Sequence, residues 1–267
     1  SSVANSFTPD NDGTFIFGAS GGTQTYNGGL NTASVDGTVT LNGTIASSDD
    51  ALTFGAVTLG SATTIDTNST ATNRRDITLG AVTGGSNTLT LTTENNVTGS
   101  NVDANGAISG VTTLTLADVG GTARLLGDVD VTTLTVGNTV LNVELFGDGS
   151  SIANAVSFAN DGTLKLGNAT GDTLTFNGGL TTTSVAGTVT LQGTIATSND
   201  AVVLGAVTLA SATTIDTNAS SNAADITIAA ITGGSQNLTL STGNNITGAD
   251  VTASGAISGL GNLTLAD

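Results

Sequence analysis

SATTIDTN occupies residues 61–68, and the same eight letters return at residues 211–218. An octet of small, β-branched and turn-forming residues carries no nucleophile with its base and no metal-ligand set, so its repetition points to architecture. Sliding the chain along itself extends the match: residues 28–118 align with residues 178–267 across one single-residue gap near Arg74 and Arg75, at about two thirds identity. GGL, GTVTL, GTIA, GAVTL, GAISG and LTLAD recur in the same order. Upstream, NDGTFIFG at 11–18 answers NDGTLKLG at 160–167, and SSVAN at 1–5 answers SSIAN at 150–154. The chain therefore reads as one full long repeat over residues 1–149 and a second, truncated one over residues 150–267, together an excerpt from a longer tandem array.

A finer rhythm runs inside each repeat. TVTL at 38–41, AVTL at 56–59, DITL at 76–79, TLTL at 88–91 and 113–116, and TLTV at 133–136 alternate a polar residue, most often Thr, with Val, Leu or Ile. That is the period of a strand with one buried and one wet face. Val39 and Leu41 are expected inside with Thr38 and Thr40 outside; Ile226 with Ile228, and Leu238 with Leu240, are expected inside in the second repeat. In the octet, Ala62 and Ile65 are assigned to the interior, Thr63 or Thr64 to the wet face, and Asp66–Asn68 to a bend. Gly, Asn, Asp and Ser separate the strands, and no segment combines a helical period with caps.

Composition narrows the fold. The chain has no Trp, Cys, Met or His, one Tyr and one Pro. Its apolar content is carried by medium aliphatic side chains, which suit a narrow interior of stacked columns better than the aromatic-rich core of a β-sandwich, the alternative architecture. Like strands at matching steps predict an all-β fold, a parallel β-helix or β-solenoid, with about 20 residues per coil. About 12 to 14 such coils, each rising ~4.8 Å, make a rod of ~60 Å. Charged residues are only 9% of the chain and mean hydropathy is +0.23, which argues against disorder.

The net charge is −17, with Glu only at Glu94 and Glu144 and four basic residues, Arg74, Arg75, Arg124 and Lys165. A surface of this sign repels phosphate backbones and anionic headgroups, so neither nucleic-acid binding nor membrane insertion by this segment is expected. Absence of Cys fits an exported bacterial protein. The start, SSVANSFTPDND, lacks a basic n-region and an apolar h-region, and the chain is read as a mature or internal piece.

LTLTTENNVTG at 89–99, GAISGVTTLTLAD at 106–118 and LTLSTGNNITG at 238–248 resemble the repeat regions of large secreted bacterial proteins of the filamentous haemagglutinin and autotransporter passenger type. The likeness covers nearly the whole chain through motifs of low specificity. It implies a right-handed coil, a place outside the cell or on its surface, and a role in adhesion, matrix or filament formation.

Asp10, Asn11 and Asp12 before Gly13 form a fragment of a calcium loop, but the later bidentate Glu is missing and the second repeat has only Asn160-Asp161-Gly162, so an Asx-type turn is expected. Asp50 with Asp200, Asp66 with Asp216, Asp76 with Asp225, and Asp118 with Asp267 recur in register; Asp66 is read as a turn carboxylate bonded to backbone N–H groups. Neither Glu nor any basic residue recurs, and Tyr26 is the one Tyr, so the paired carboxylates and aromatic platforms of a glycosidase or lyase cleft are not recognised. Sequons stand at Asn42, Asn68, Asn96, Asn168, Asn218, Asn237, Asn245 and Asn262, a number that this Asn- and Thr-rich composition produces by chance.

The expectation is a structural segment of a surface fibre, not an enzyme, with no catalytic, metal or cofactor site. Its partners would be further repeats or copies joined end to end. An adhesin module binding a surface glycan or protein through projecting loops is the alternative. Its binding residues would be sought where the repeats disagree, at Thr70–Arg75 and in the once-only segment 119–149.

Overall fold

The computed structural model describes residues 1–266 apart from 71, 72, 95, 96, 222 and 245. It divides into two compact units, Ser1–Val143 and Glu144–Asp267. Among the described residues every regular element is a strand, and strand pairing within each unit is parallel. Counted over the described residues of both units, there are about 11 turns of β-solenoid. Each turn takes roughly 24 residues, so the expected length of about 20 per coil is corrected upward and the coil number downward. The reason lies in the corners. Ile45 pairs with Ile65, twenty positions on, whereas Leu89 pairs with Leu114, twenty-five on, because the longer coil carries an extra turn at Thr98–Gly99.

In the first unit each full coil contributes to three stacks. The first stack runs through Phe15–Phe17, residues 39–41, 57–59, Val82–Thr83, 108–109 and 129–131. The second runs through Thr23–Tyr26, residues 44–47, 63–66, Thr88–Thr92, 113–117 and 133–136. The third runs through Leu30–Asn31, Leu52–Phe54, Ile77–Leu79, Val102–Ala104 and Thr122–Leu125. The second unit repeats the scheme. Its first stack holds Leu164–Leu166 and residues 189–191, 207–209 and 231–232; its second holds Thr173–Phe176, residues 194–196, 213–216, Leu238–Ser241 and Leu263–Ala266.

Side-chain alternation turns these registers into columns. Ile45, Ile65, Leu91 and Leu116 lie one above another in the second stack, all fully buried. Leu52, Ile77 and Val102 do the same in the third. Outside the second stack, Thr23, Thr44, Thr64, Thr90, Thr115 and Thr135 form one unbroken file. Each buried aliphatic removes apolar area worth about 1.5–3 kcal/mol from water, and the gain recurs with every coil. Aromatic rings fill the interior near the start of the first unit, where Phe7, Phe15, Phe17 and Tyr26 pack with ring centroids 4.5–6.3 Å apart, and in the second unit, where buried Phe158 meets Phe176 edge-on at 6.3 Å.

Val39, Leu41, Ile226, Ile228, Leu238 and Leu240 are buried as expected. The octet needs one correction. Ala62 is exposed and Thr63 is buried, because alternation counted back from Ile65 puts odd positions inside. Thr63 tolerates the interior because its hydroxyl donates to the carbonyls of Leu41, at 3.2 Å, and Ser61, at 3.0 Å.

Passage from the first stack to the second occurs without a break at Gly43 and Gly193, where the register shifts. Both have positive φ, 67° and 74°. A Cβ on Gly43 would lie 2.3 Å from the Gly22 carbonyl oxygen, and one on Gly193 2.4 Å from that of Asp172. Only glycine fits this corner.

Candidate functional site

The polar chemistry of the molecule gathers at the corners, where strands end and carboxylates meet backbone. Asp66 closes the octet and accepts from the N–H of Asn68 at 2.7 Å; Asp216 accepts from Asn218 at 2.8 Å. Asn68 and Asn218 have left-handed φ of 44° and 47°, so the turn carboxylate read from the sequence is present in both repeats. Asp76 reaches the next coil, accepting from the N–H of Asn101 at 2.7 Å, and Asp225 accepts from Asp250 at 2.9 Å. Asp50 and Asp200 are gripped through their carbonyls by the hydroxyls of Ser47 and Thr197. The carbonyl of Asp118 accepts from the Thr93 hydroxyl at 2.8 Å; its counterpart Asp267 lies outside the described residues. Asp76, Asp225 and Asp118 thus bond across coils, whereas Asp66, Asp216, Asp50 and Asp200 close turns within one.

One corner departs from the pattern. Asp66, Glu94 and Asp118 stand at the ends of successive coils of the second stack, and burial pushes the Asp66 carboxyl up to about 6. The charges of Glu94 and Asp118 and a hydrogen bond to Glu94 act in the same direction, against the opposing pull of the Asn68 N–H. In the second repeat Gly243 stands where Glu94 does in the first. Along the chain these acids are far apart, and coil stacking brings them to one corner. Among the described residues no group of three or more His, Cys, Asp or Glu is placed to hold a metal ion.

In the fragment PDNDGT, Asp10 and Asp12 are exposed, while Asn11 turns its amide onto the Gly13 carbonyl at 2.8 Å. The matching Asn160 is buried and donates to the carbonyls of Gly162, at 3.1 Å, and Thr163, at 2.9 Å. This is the Asx-type local bonding expected there. Of the sequons, Asn42 donates to the Phe17 carbonyl at 3.2 Å, Asn68, Asn168, Asn218, Asn237 and Asn262 are exposed, and Asn96 and Asn245 lie outside the described residues.

The stretches where the repeats disagree are placed as follows. From the once-only segment, Thr122–Leu125 and Val129–Val136 are strands of the first unit's stacks. There Arg124 pairs with Asp103, its neighbour in register, at 2.7 Å. In the second unit Lys165 pairs with Glu144 at 2.8 Å. In Thr70–Arg75, residues 71 and 72 lie outside the described residues. Thr70 is tied to the Asp49 carboxylate through its N–H, at 2.5 Å, and its hydroxyl, at 2.9 Å, and Arg75 donates through Nε to the Asp49 carbonyl.

Buried hydroxyls were not legible in the sequence. Ser47 donates to the Thr67 carbonyl at 3.0 Å, and Thr67 Oγ1 lies 3.1 Å from Ser69 Oγ and donates to the Arg75 carbonyl at 3.3 Å. In the second unit Thr197 donates to Thr217, and Thr217 to Ala224 at 2.9 Å. Their signal is a Thr or Ser in phase with the aliphatic positions. The fold is thus a β-solenoid repeat of a kind that suits a structural or surface role, and no protein-family model, curated protein or solved structure matches the chain.

Proposed function

We propose that this chain is a non-catalytic segment of an extracellular or bacterial cell-surface fibre, in which added solenoid coils supply reach and stiffness. The observation that supports this reading most is the like-on-like register within each unit, the file from Thr23 to Thr135 outside and the column from Ile45 to Leu116 inside. Such a coil presents to the next one the same surface that it received from the last, so length is added without new design. A net charge of −17 opposes sideways clumping. Unpaired strand edges at a solenoid end offer the axial contact for further repeats or a second copy. Nucleic acid and membrane insertion have no part in this proposal. Electron microscopy of the purified chain at rising concentration is expected to show unbranched rods, and small-angle scattering an elongated particle. A compact globular monomer in both measurements would sink the proposal.

A further inference from the structure

A cavity of about 320 Å³ opens on the third stack of the first unit. Four consecutive coils line it: Ser6 from the first, Gly28, Gly29 and Asn31 from the second, Asp50 and Thr53 from the third, and Arg75 from the fourth. Arg75 is held by two backbone acceptors, the carbonyls of Asp49 through Nε and of Arg74 through Nη1. These bonds leave Nη2 without a partner among the described residues. Asn31 gives its side-chain oxygen to the Ala33 N–H at 2.9 Å, which turns its NH₂ into a donor. Neither the Thr53 hydroxyl nor the Asp50 carboxylate has a side-chain partner among the described residues. In an otherwise strongly acidic chain, a half-buried guanidinium with no carboxylate of its own therefore faces a polar cavity.

Comparison of the two repeats isolates the same spot. Gly28, Gly29 and Asp50 return as Gly178, Gly179 and Asp200, whereas Asn31, Thr53 and Arg75 are replaced by Thr181, Val203 and Ala224. The frame is kept and the cation, the amide and one hydroxyl are lost. A purely structural role for the three does not account for this, since the second unit builds the same stack without them.

We propose that this cavity binds a carboxylate-bearing sugar, a uronic or sialic acid unit. The Nη2 of Arg75, held in place by the bonds of Nε and Nη1, donates to the carboxylate; Asn31 and Thr53 take ring or hydroxyl oxygens, and Asp50 accepts from sugar hydroxyls. Asp50 selects against a bare anion, which brings no hydroxyl to satisfy it. The chain's negative field selects against polyphosphates and nucleic acid, which bring several charges to a single guanidinium. Absence of an aromatic platform sets the affinity at the weak end of specific binding. The proposal is independent of whether copies assemble into fibres.

The test is an amide-resolved NMR titration of the full chain with sodium glucuronate and N-acetylneuraminate, with glucose and acetate as controls. Shifts at Gly28, Gly29, Asn31 and Arg75 are expected with an acidic sugar and not with glucose or acetate. Arg75→Ala, which copies the residue of the second repeat, is expected to weaken binding by about tenfold or more, and Arg75→Lys, which keeps the charge but loses the Nη2 donor and the two bonds that position it, by several-fold. Both variants should keep the wild-type melting profile; if Arg75→Ala fails to fold, Arg75→Lys carries the test. The graft Thr181→Asn with Val203→Thr and Ala224→Arg is expected to bring new shifts to Gly178 and Gly179. Absence of shifts at about 10 mM sugar, equal binding by wild type and the Arg75 variants, an acetate response equal to that of the acidic sugars, or a silent graft beside a binding wild type would each overturn the assignment.

Discussion

The carboxyl groups of Asp66 and Glu94 come together across adjacent coils, in a corner that also feels the charge of Asp118. Burial and these neighbours hold Asp66 at about 6 against its ordinary 3.8. Between those values the folded chain binds a proton that the unfolded chain has released. The stabilising contribution is therefore complete below about pH 4 and is lost as pH rises through about 6. Urea midpoints of the wild type should fall from pH 4 to pH 7 by an amount worth on the order of 1 kcal/mol, after allowance for solvent screening of a partly exposed group. Asp66→Asn should flatten that slope while its side-chain oxygen still accepts from Asn68. A slope unchanged in Asp66→Asn would refute this account.

Gly43→Ala should destabilise the first unit by about 2–4 kcal/mol, since it combines the cost of a positive φ with a backbone clash at the Gly22 carbonyl. Gly193→Ala should do the same in the second unit. Gly171, where an added Cβ meets nothing within 4 Å, is the control; Gly171→Ala should melt within a degree or two of wild type. Thermal denaturation of the three variants decides it.

Leu91 lies between Ile65 and Leu116 in a buried column, and its neighbour Thr90 lies between Thr64 and Thr115 on the outside. Leu91→Ala should cost about 2–5 kcal/mol, the usual penalty of an unfilled core site. Thr90→Ala should stay within about 0.5 kcal/mol. Equal losses for the two, measured by urea unfolding, would contradict the inside–outside assignment of this strand.

Thr67→Val keeps the shape of a buried side chain and removes its hydroxyl from the Arg75 carbonyl and the Ser69 hydroxyl. Thr217→Val does so at the Ala224 carbonyl. Each should cost about 1–3 kcal/mol for a buried acceptor left short of its donor. Backbone amide exchange should also quicken locally, around residues 75 and 224, which hydrogen-exchange mass spectrometry reads directly.

Pattern alone carried the all-β class, the repeat and most of the core, because a strand's period of two is local and Val39, Leu41, Ile226 and Leu240 keep strict phase with their neighbours. The same rule, followed from Ile65, assigns Thr63 to the inside, whereas residue type alone favours Ala62. The turn carboxylate of Asp66 was likewise legible, since its partner Asn68 is two residues away. Coil length was not, because it depends on how much chain each corner consumes, and corners such as 97–100 have no period. Nor was the meeting of Asp66, Glu94 and Asp118, or of Asn31, Asp50, Thr53 and Arg75. Residues some 20 to 28 positions apart in a chain become neighbours only when successive coils stack in one particular register. That register is set by the burial of whole columns and by the corners between them, and no single residue in the sequence announces it.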